Sequence, residues 1–178
     1  MGRKLRRVPP NWEHPKHDGR YLPLFDCSCE DAWTDWQAEY AQWIGGEHDW
    51  VIAQHGSDEY PKDQPYTAFC RWNGTPPHPD EHRPQWKEGE ATWWQVYETV
   101  SEGTPVTPPF ATQQELIDYL VKYGDFWDQA RRDRGDCSLP CDPWSRQDAE
   151  AFVMGSGWAP TLVLDAQGLR SGVRSQAG

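Results

Sequence analysis

The chain lacks any apolar run of about eighteen residues, the length a membrane-spanning helix requires, and its longest apolar stretches are broken by charge within a few positions. Bases are also scarce: 17 Lys and Arg stand against 28 Asp and Glu, a formal net charge of −11. That balance counts against binding a phosphate backbone. There is no His-Glu-x-x-His, no glycine-rich phosphate loop ending in Lys and Ser or Thr, and no nucleophile elbow, so the familiar hydrolase and nucleotide-binding motifs are missing. The five cysteines, Cys27, Cys29, Cys70, Cys137 and Cys141, are an odd number and a poor basis for a disulfide scaffold. Reduced thiols are expected. A basic cluster at Arg3, Lys4, Arg6 and Arg7 is followed by Pro9 and Pro10, where a secretory signal needs an apolar core, and the expectation is a cytoplasmic protein.

What the chain does have is aromatic area. Mean hydropathy is −0.93 and apolar residues make up 37%, yet twelve Trp, seven Tyr and five Phe bury enough surface per residue to close a core. A chain of 178 residues suits one such core. Residues 1–25 are rich in Pro, Lys and Arg, with +4 over the first twenty positions, and read as an extended basic arm. Residues 26–178 read as a single α+β domain.

Within that domain, a helix is predicted from Cys29 to Trp43, capped by Ser28 with Asp31 at the third position and ended by Gly45-Gly46. Trp33, Trp36, Tyr40 and Trp43 recur at three- and four-residue steps and form one aromatic stripe. Asp31, Asp35 and Glu39 recur every four residues on a neighbouring face, so burying the stripe turns the carboxylates towards solvent. Gly46 to Lys87, with six prolines, reads as a long irregular Pro/Trp-rich excursion holding at most a short helix or strand near Tyr66 to Trp72. Alternation predicts a strand over Thr92 to Val100. Thr112 with Glu115 makes a capping box for a helix through Tyr123, and Ser145 caps a short helix with Ala149, Phe152 and Val153 inward. Asp125 to Pro143 reads as a charged connection, and Thr161 to Asp165 with Leu169 to Val173 as a hairpin. The order predicts a small antiparallel sheet covered by helices.

Four segments carry a resemblance: Val8-Pro9-Pro10-Asn11-Trp12-Glu13-His14-Pro15, Tyr21-Leu22-Pro23-Leu24, Tyr97 to Val106 (YETVSEGTPV), and Gly157-Trp158-Ala159-Pro160. In these the chain resembles the small acidic proteins encoded by tailed bacteriophages and prophages. The resemblance spans most of the chain and is weakest in the middle excursion. It implies a phage accessory protein, of the kind that acts by binding a host factor. Both close cysteine pairs depart from it, which separates any metal role from the family.

Each chemical reading has a plainer competitor. Cys27-x-Cys29 and Cys137-x3-Cys141, with Cys70, His78 or His82 as alternates, could bind zinc, but neither pair has the two-residue spacing of a structural knuckle. His14-x2-His17 and His78-x3-His82 have workable spacings in proline-flanked surroundings. A zinc-stabilised accessory protein is thus the alternative reading, and no metal ligand or other cofactor is assigned. Acid neighbours such as Glu47 with Asp49 could hold a divalent ion for phosphoryl chemistry, but 28 acids produce such neighbours by chance. Gly155-Ser156-Gly157 follows a helix and reads as a cap and turn. No catalytic residue is assigned, and the expectation is a protein that is not an enzyme. Arg131, Arg132 and Arg134 are interleaved with Asp128, Asp133 and Asp136, so direct nucleic-acid binding is not expected.

Protein interaction is left as the positive reading. Ten carboxylates lie between Asp26 and Asp63 with only Lys62 against them. Such a surface suits a protein partner with a basic groove, the acids standing where phosphates would lie. Asp31, Asp35 and Glu39 are the foremost candidate contacts, followed by Asp49, Asp58 and Glu59. The function expected is inhibition of a nucleic-acid-processing or defence system. The plain competitor is that acidic surfaces keep proteins soluble.

Overall fold

The computed structural model describes residues 2–53, 64–99, 103–136, 138, 140–160, 162–165 and 168–173. In chain order the elements are β1 (Arg3–Val8), β2 (Lys16–His17), β3 (Arg20–Tyr21), α1 (Cys29–Gly45), α2 (Asp49–Ala53), α3 (Pro65–Asn73), a 3-10 turn (Pro79–Glu81), β4 (Trp93–Glu98), α4 (Gln113–Tyr123), α5 (Phe126–Arg134), α6 (Arg146–Met154), β5 (Trp158–Ala159), β6 (Leu162–Asp165) and β7 (Gly168–Ser171). The class is α+β, with a small antiparallel sheet packed against helices, as the element order predicts. Two compact units divide the chain: Met1–Pro23 with Trp86–Gly178, and Leu24–Gln85.

This division corrects the reading of residues 1–25 as an arm in front of one domain. The supposed arm supplies the central strand of the first unit, in the order β4-β1-β5. β1 pairs antiparallel with β4 from Arg3 opposite Glu98 to Val8 opposite Trp93, and with β5 through Arg3 and Lys4. Its four bases tolerate a central position because Lys4 and Arg7 are exposed and the three arginines meet local partners. The Arg3 Nε donates to Asp125, the Arg6 guanidinium lies 4.4 Å over the Tyr97 ring, and that of Arg7 lies 3.5 Å over Trp94. Cation–π contacts of this kind suit arginine's planar head. The other edge of β4 is covered by residues 104–110, through mutual bonds between Trp94 and Phe110 and from the Val106 amide to the Val96 carbonyl, which leaves no bare edge there.

The core of this unit gathers Val96, Val106, Leu116, Ile117, Leu120, Trp144, Phe152 and Val153. Each large side chain buried this way stabilises by roughly 1.5–3 kcal/mol. Caps position the helices: Thr112 accepts from the Glu115 amide in a capping box ahead of α4, and Ser145 accepts from that of Asp148 ahead of α6. The segment read as a charged connection contains α5. Asp125 accepts from the Trp127 and Asp128 amides, Gly135 closes the helix in the left-handed region, and three arginines sit in its last turn, where they complement the helix dipole. β6 and β7 pair antiparallel, and the turn residues Ala166 and Gln167 lie outside the described residues.

The second unit has its own core of Trp36, Trp43, Val51, Ala68 and Phe69. Its α1 begins and ends where the caps predict: Ser28 accepts from the Asp31 amide, and Gly46 adopts φ 75° and donates to the last turn. Within the Gly46 to Lys87 excursion, the described residues form α2, α3 and the 3-10 turn. α3, opened by Pro65 at the first helical position, sets Phe69 against Trp36 and Trp43 with ring centroids 5.1 and 5.5 Å apart.

Candidate functional site

The carboxylate row stands on α1. Asp31 and Asp35 are exposed, and Glu39 is half-buried. The drift has a geometric cause: every four residues a helix over-rotates by about 40°, so the row turns towards the buried stripe as it climbs. Trp36 and Trp43 point inward at 8% and 0% exposure, while Trp33, at the stripe's edge, is 39% exposed. Trp33 stacks on Trp36 within 13° of parallel, so an exposed indole is held rigid near the acids. Among the described residues, the side chains of Asp31, Asp35, Glu39 and Asp49 carry no hydrogen bond or ion pair. Asp49 opens α2 and is exposed. Asp58 and Glu59 lie outside the described residues. Asp26, by contrast, lies 3.7 Å from the Arg83 guanidinium.

The aromatic content of this unit is only partly spent on its core. Tyr66, Trp72, Ile44 and Ile52 are 44–56% exposed. Trp72 packs against His48 at 4.4 Å and leaves its remaining surface to solvent. Sequence periodicity placed the stripe correctly but could not anticipate this apolar surplus, which arises because α2 and α3 are too short to cover all the rings.

Several of the residues weighed as zinc ligands make other contacts. Cys27 Sγ approaches His82 Nδ1 at 3.7 Å, and His82 is held by a bridge between residues 25 and 82. His78 caps the 3-10 turn by accepting from the Asp80 amide. His14 faces the Leu22 carbonyl, and His17 faces Asp18. Among the described residues no group of three or more His, Cys, Asp or Glu is placed to share a metal ion; Cys137 lies outside them. Ser156 exchanges hydrogen bonds with the Trp158 backbone, as a turn residue does.

The first unit holds a buried polar cluster that sequence reasoning missed. Asp125 Oδ2 accepts from Arg3 Nε at 2.5 Å, and Asp128 Oδ2 accepts from the Trp144 indole at 3.0 Å. Glu98 accepts from Thr104 at 2.5 Å and from the Trp127 indole at 3.1 Å. Burial, and then the neighbouring Asp125 charge, push Asp128 up to about 6. These groups fasten β1, β4, α5 and α6 to one another.

The same unit has a cleft of about 480 Å3, within the size range of small-ligand sites. Trp12, Tyr21, Phe126 and three prolines, Pro15, Pro108 and Pro109, form its walls, with Glu13 and Lys16 at the rim. The Tyr21 and Phe126 rings lie within 5° of parallel at 6.4 Å. His14 stands edge-on to Tyr21 at 5.6 Å and to Trp12 at 6.2 Å. In the floor, the Trp12 indole donates to Tyr97 Oη at 3.1 Å, and Tyr97 donates to Gln95 at 3.0 Å. Gln95 in turn donates to the Thr107 carbonyl at 2.8 Å. A carbonyl only accepts, so His14 Nε2 carries the proton it gives to Leu22 at 2.6 Å. Burial lowers the pKa of His14, against the raising effect of that bond, and the Arg6 charge lowers it further.

Compared with family models, with curated proteins and with solved structures, the chain matches none.

Proposed function

We propose that the protein is a binding protein whose acidic second unit docks on a basic protein surface, and that it acts as a phage accessory protein inhibiting a nucleic-acid-processing or defence system of the host. One observation carries this reading: Asp31 and Asp35 are exposed, without side-chain partners among the described residues, on the helix that also presents the half-exposed Trp33. Unpaired carboxylates supply long-range steering and charge-assisted hydrogen bonds to Arg and Lys. The indole supplies the apolar anchor that charge alone lacks, since Trp is prominent among interface hot spots. A surface that served only for solubility would have no use for exposed Trp33, Tyr66 and Trp72. The phage resemblance supports a host or phage protein as the partner.

The test is affinity capture from a bacterial host, identification of the partner, and stopped-flow association of that partner with the wild type and with an Asp31→Asn, Asp35→Asn, Glu39→Gln variant. Slower association with a flatter salt dependence is expected, and competition by duplex DNA follows if the acids occupy a phosphate site. Unchanged kinetics in the neutralised variant would remove the assignment.

A further inference from the structure

The cleft of the first unit has properties that the acidic surface does not share. Three aromatic walls meet around His14, and the ring donors of its floor are committed: the Trp12 indole to Tyr97, the Tyr97 hydroxyl to Gln95, and the His14 Nε2 proton to Leu22. A ligand that needs several hydrogen bonds, such as a peptide backbone or a nucleoside, would leave its own polar groups unpaired there. An anion would meet the Glu13 carboxylate at the rim, while the Arg6 guanidinium is already engaged over the Tyr97 ring at 4.4 Å. A soft cation without N–H donors has neither problem. The cleft already displays the contact such a ligand would make: the Lys16 ammonium lies 4.5 Å from the Tyr21 ring centroid.

We propose that the cleft binds a small quaternary ammonium compound of the choline type, with Trp12, Tyr21 and Phe126 as π walls and Glu13 as the counter-charge at the rim. The ring quadrupoles attract a cation within about 6 Å of their centroids, and more strongly as it loses water. A tetraalkylated nitrogen loses water easily and asks for no acceptor. Lys16 then acts as an internal competitor that swings aside when the ligand enters.

The experiment is a calorimetric or ligand-observed NMR titration of the full chain with choline, alongside 3,3-dimethyl-1-butanol, which replaces the charged nitrogen by carbon at nearly the same shape. Choline is expected to bind saturably, and the neutral analogue about tenfold more weakly, the difference that a partly desolvated cation–π contact provides. Lys16→Gln should tighten choline binding severalfold, whereas Glu13→Gln should weaken it. Both residues are exposed, so neither change endangers the fold. Tyr21→Leu and Phe126→Leu preserve apolar area and remove the π face; each should cost about tenfold with the circular dichroism unchanged. The proposal is overturned if choline does not saturate, if the neutral analogue binds equally well, if Lys16→Gln weakens binding, or if folded ring variants bind as the wild type does.

Discussion

The two units solve the problem of charge in opposite ways. In Leu24–Gln85, twelve carboxylates face three Lys and Arg, a net of −9, whereas Met1–Pro23 with Trp86–Gly178 carries sixteen against fourteen, a net of −2. The first unit takes charge inside and satisfies it there, by an ion pair between Arg3 and Asp125 and by hydrogen bonds to Glu98 from Thr104 and Trp127. The second unit leaves its acids outside and unpaired on α1. Buried charge of the first kind is costly to disturb and contributes to fold specificity; surface charge of the second kind contributes little to stability and is free to act on a partner.

That contrast breaks most visibly in the cores. Trp43→Ala should destabilise the second unit by about 3–5 kcal/mol through the cavity it leaves, with loss of hydrogen-exchange protection concentrated in α1 and α3. Arg3→Met is expected to cost a comparable amount in the first unit, about 3–5 kcal/mol, because Asp125 is left buried without its cation; guanidinium denaturation measures both.

A smaller effect concerns pH. The folded-state pKa of Asp128 is raised from 3.8 to about 6, so the folded chain holds a proton that the unfolded chain releases. Its stabilising contribution is complete below pH 3.8 and is lost as pH rises through 6, a change of about 3 kcal/mol in all. Asp128→Asn keeps an acceptor for the Trp144 indole, and the difference between variant and wild type should therefore grow in the variant's favour between pH 4 and 6. Thermal melts across that range check the sign. Smallest of all, neutralising Asp31, Asp35 and Glu39 should alter stability by no more than about 0.5 kcal/mol, with any gain coming from relief of like charges at four-residue spacing. A large loss would mean that the row belongs to the fold rather than to a partner.

Local signals were legible in the sequence to the extent that chemistry was local. Ser28, Thr112 and Ser145 announce α1, α4 and α6 through caps within three residues, and the strand at Thr92 to Val100 contains β4. β1 was obscured because Arg3, Lys4, Arg6 and Arg7 dominate its composition, and the groups that accept them, Trp94, Tyr97 and Asp125, lie about ninety or more positions away. α5 has almost no apolar periodicity, yet Asp125 and Asp128 stand at capping-box spacing and Gly135 at a stop, a signal that a search of acidic caps would have found. The acidic row was readable from its period, but the exposure of Trp33 and the half-burial of Glu39 depend on how far α3 reaches over α1. The cleft was not legible at all, since Trp12, Tyr21, Gln95 and Phe126 meet only through the sheet.

The central claim is that the second unit's carboxylates steer a basic partner, and association rate as a function of ionic strength measures it most directly. With the captured partner, the wild type should associate fast at low salt and slow steeply as salt rises, while the variant neutralised at Asp31, Asp35 and Glu39 should start slower and respond less. Superimposable salt dependences for the two proteins would contradict the account.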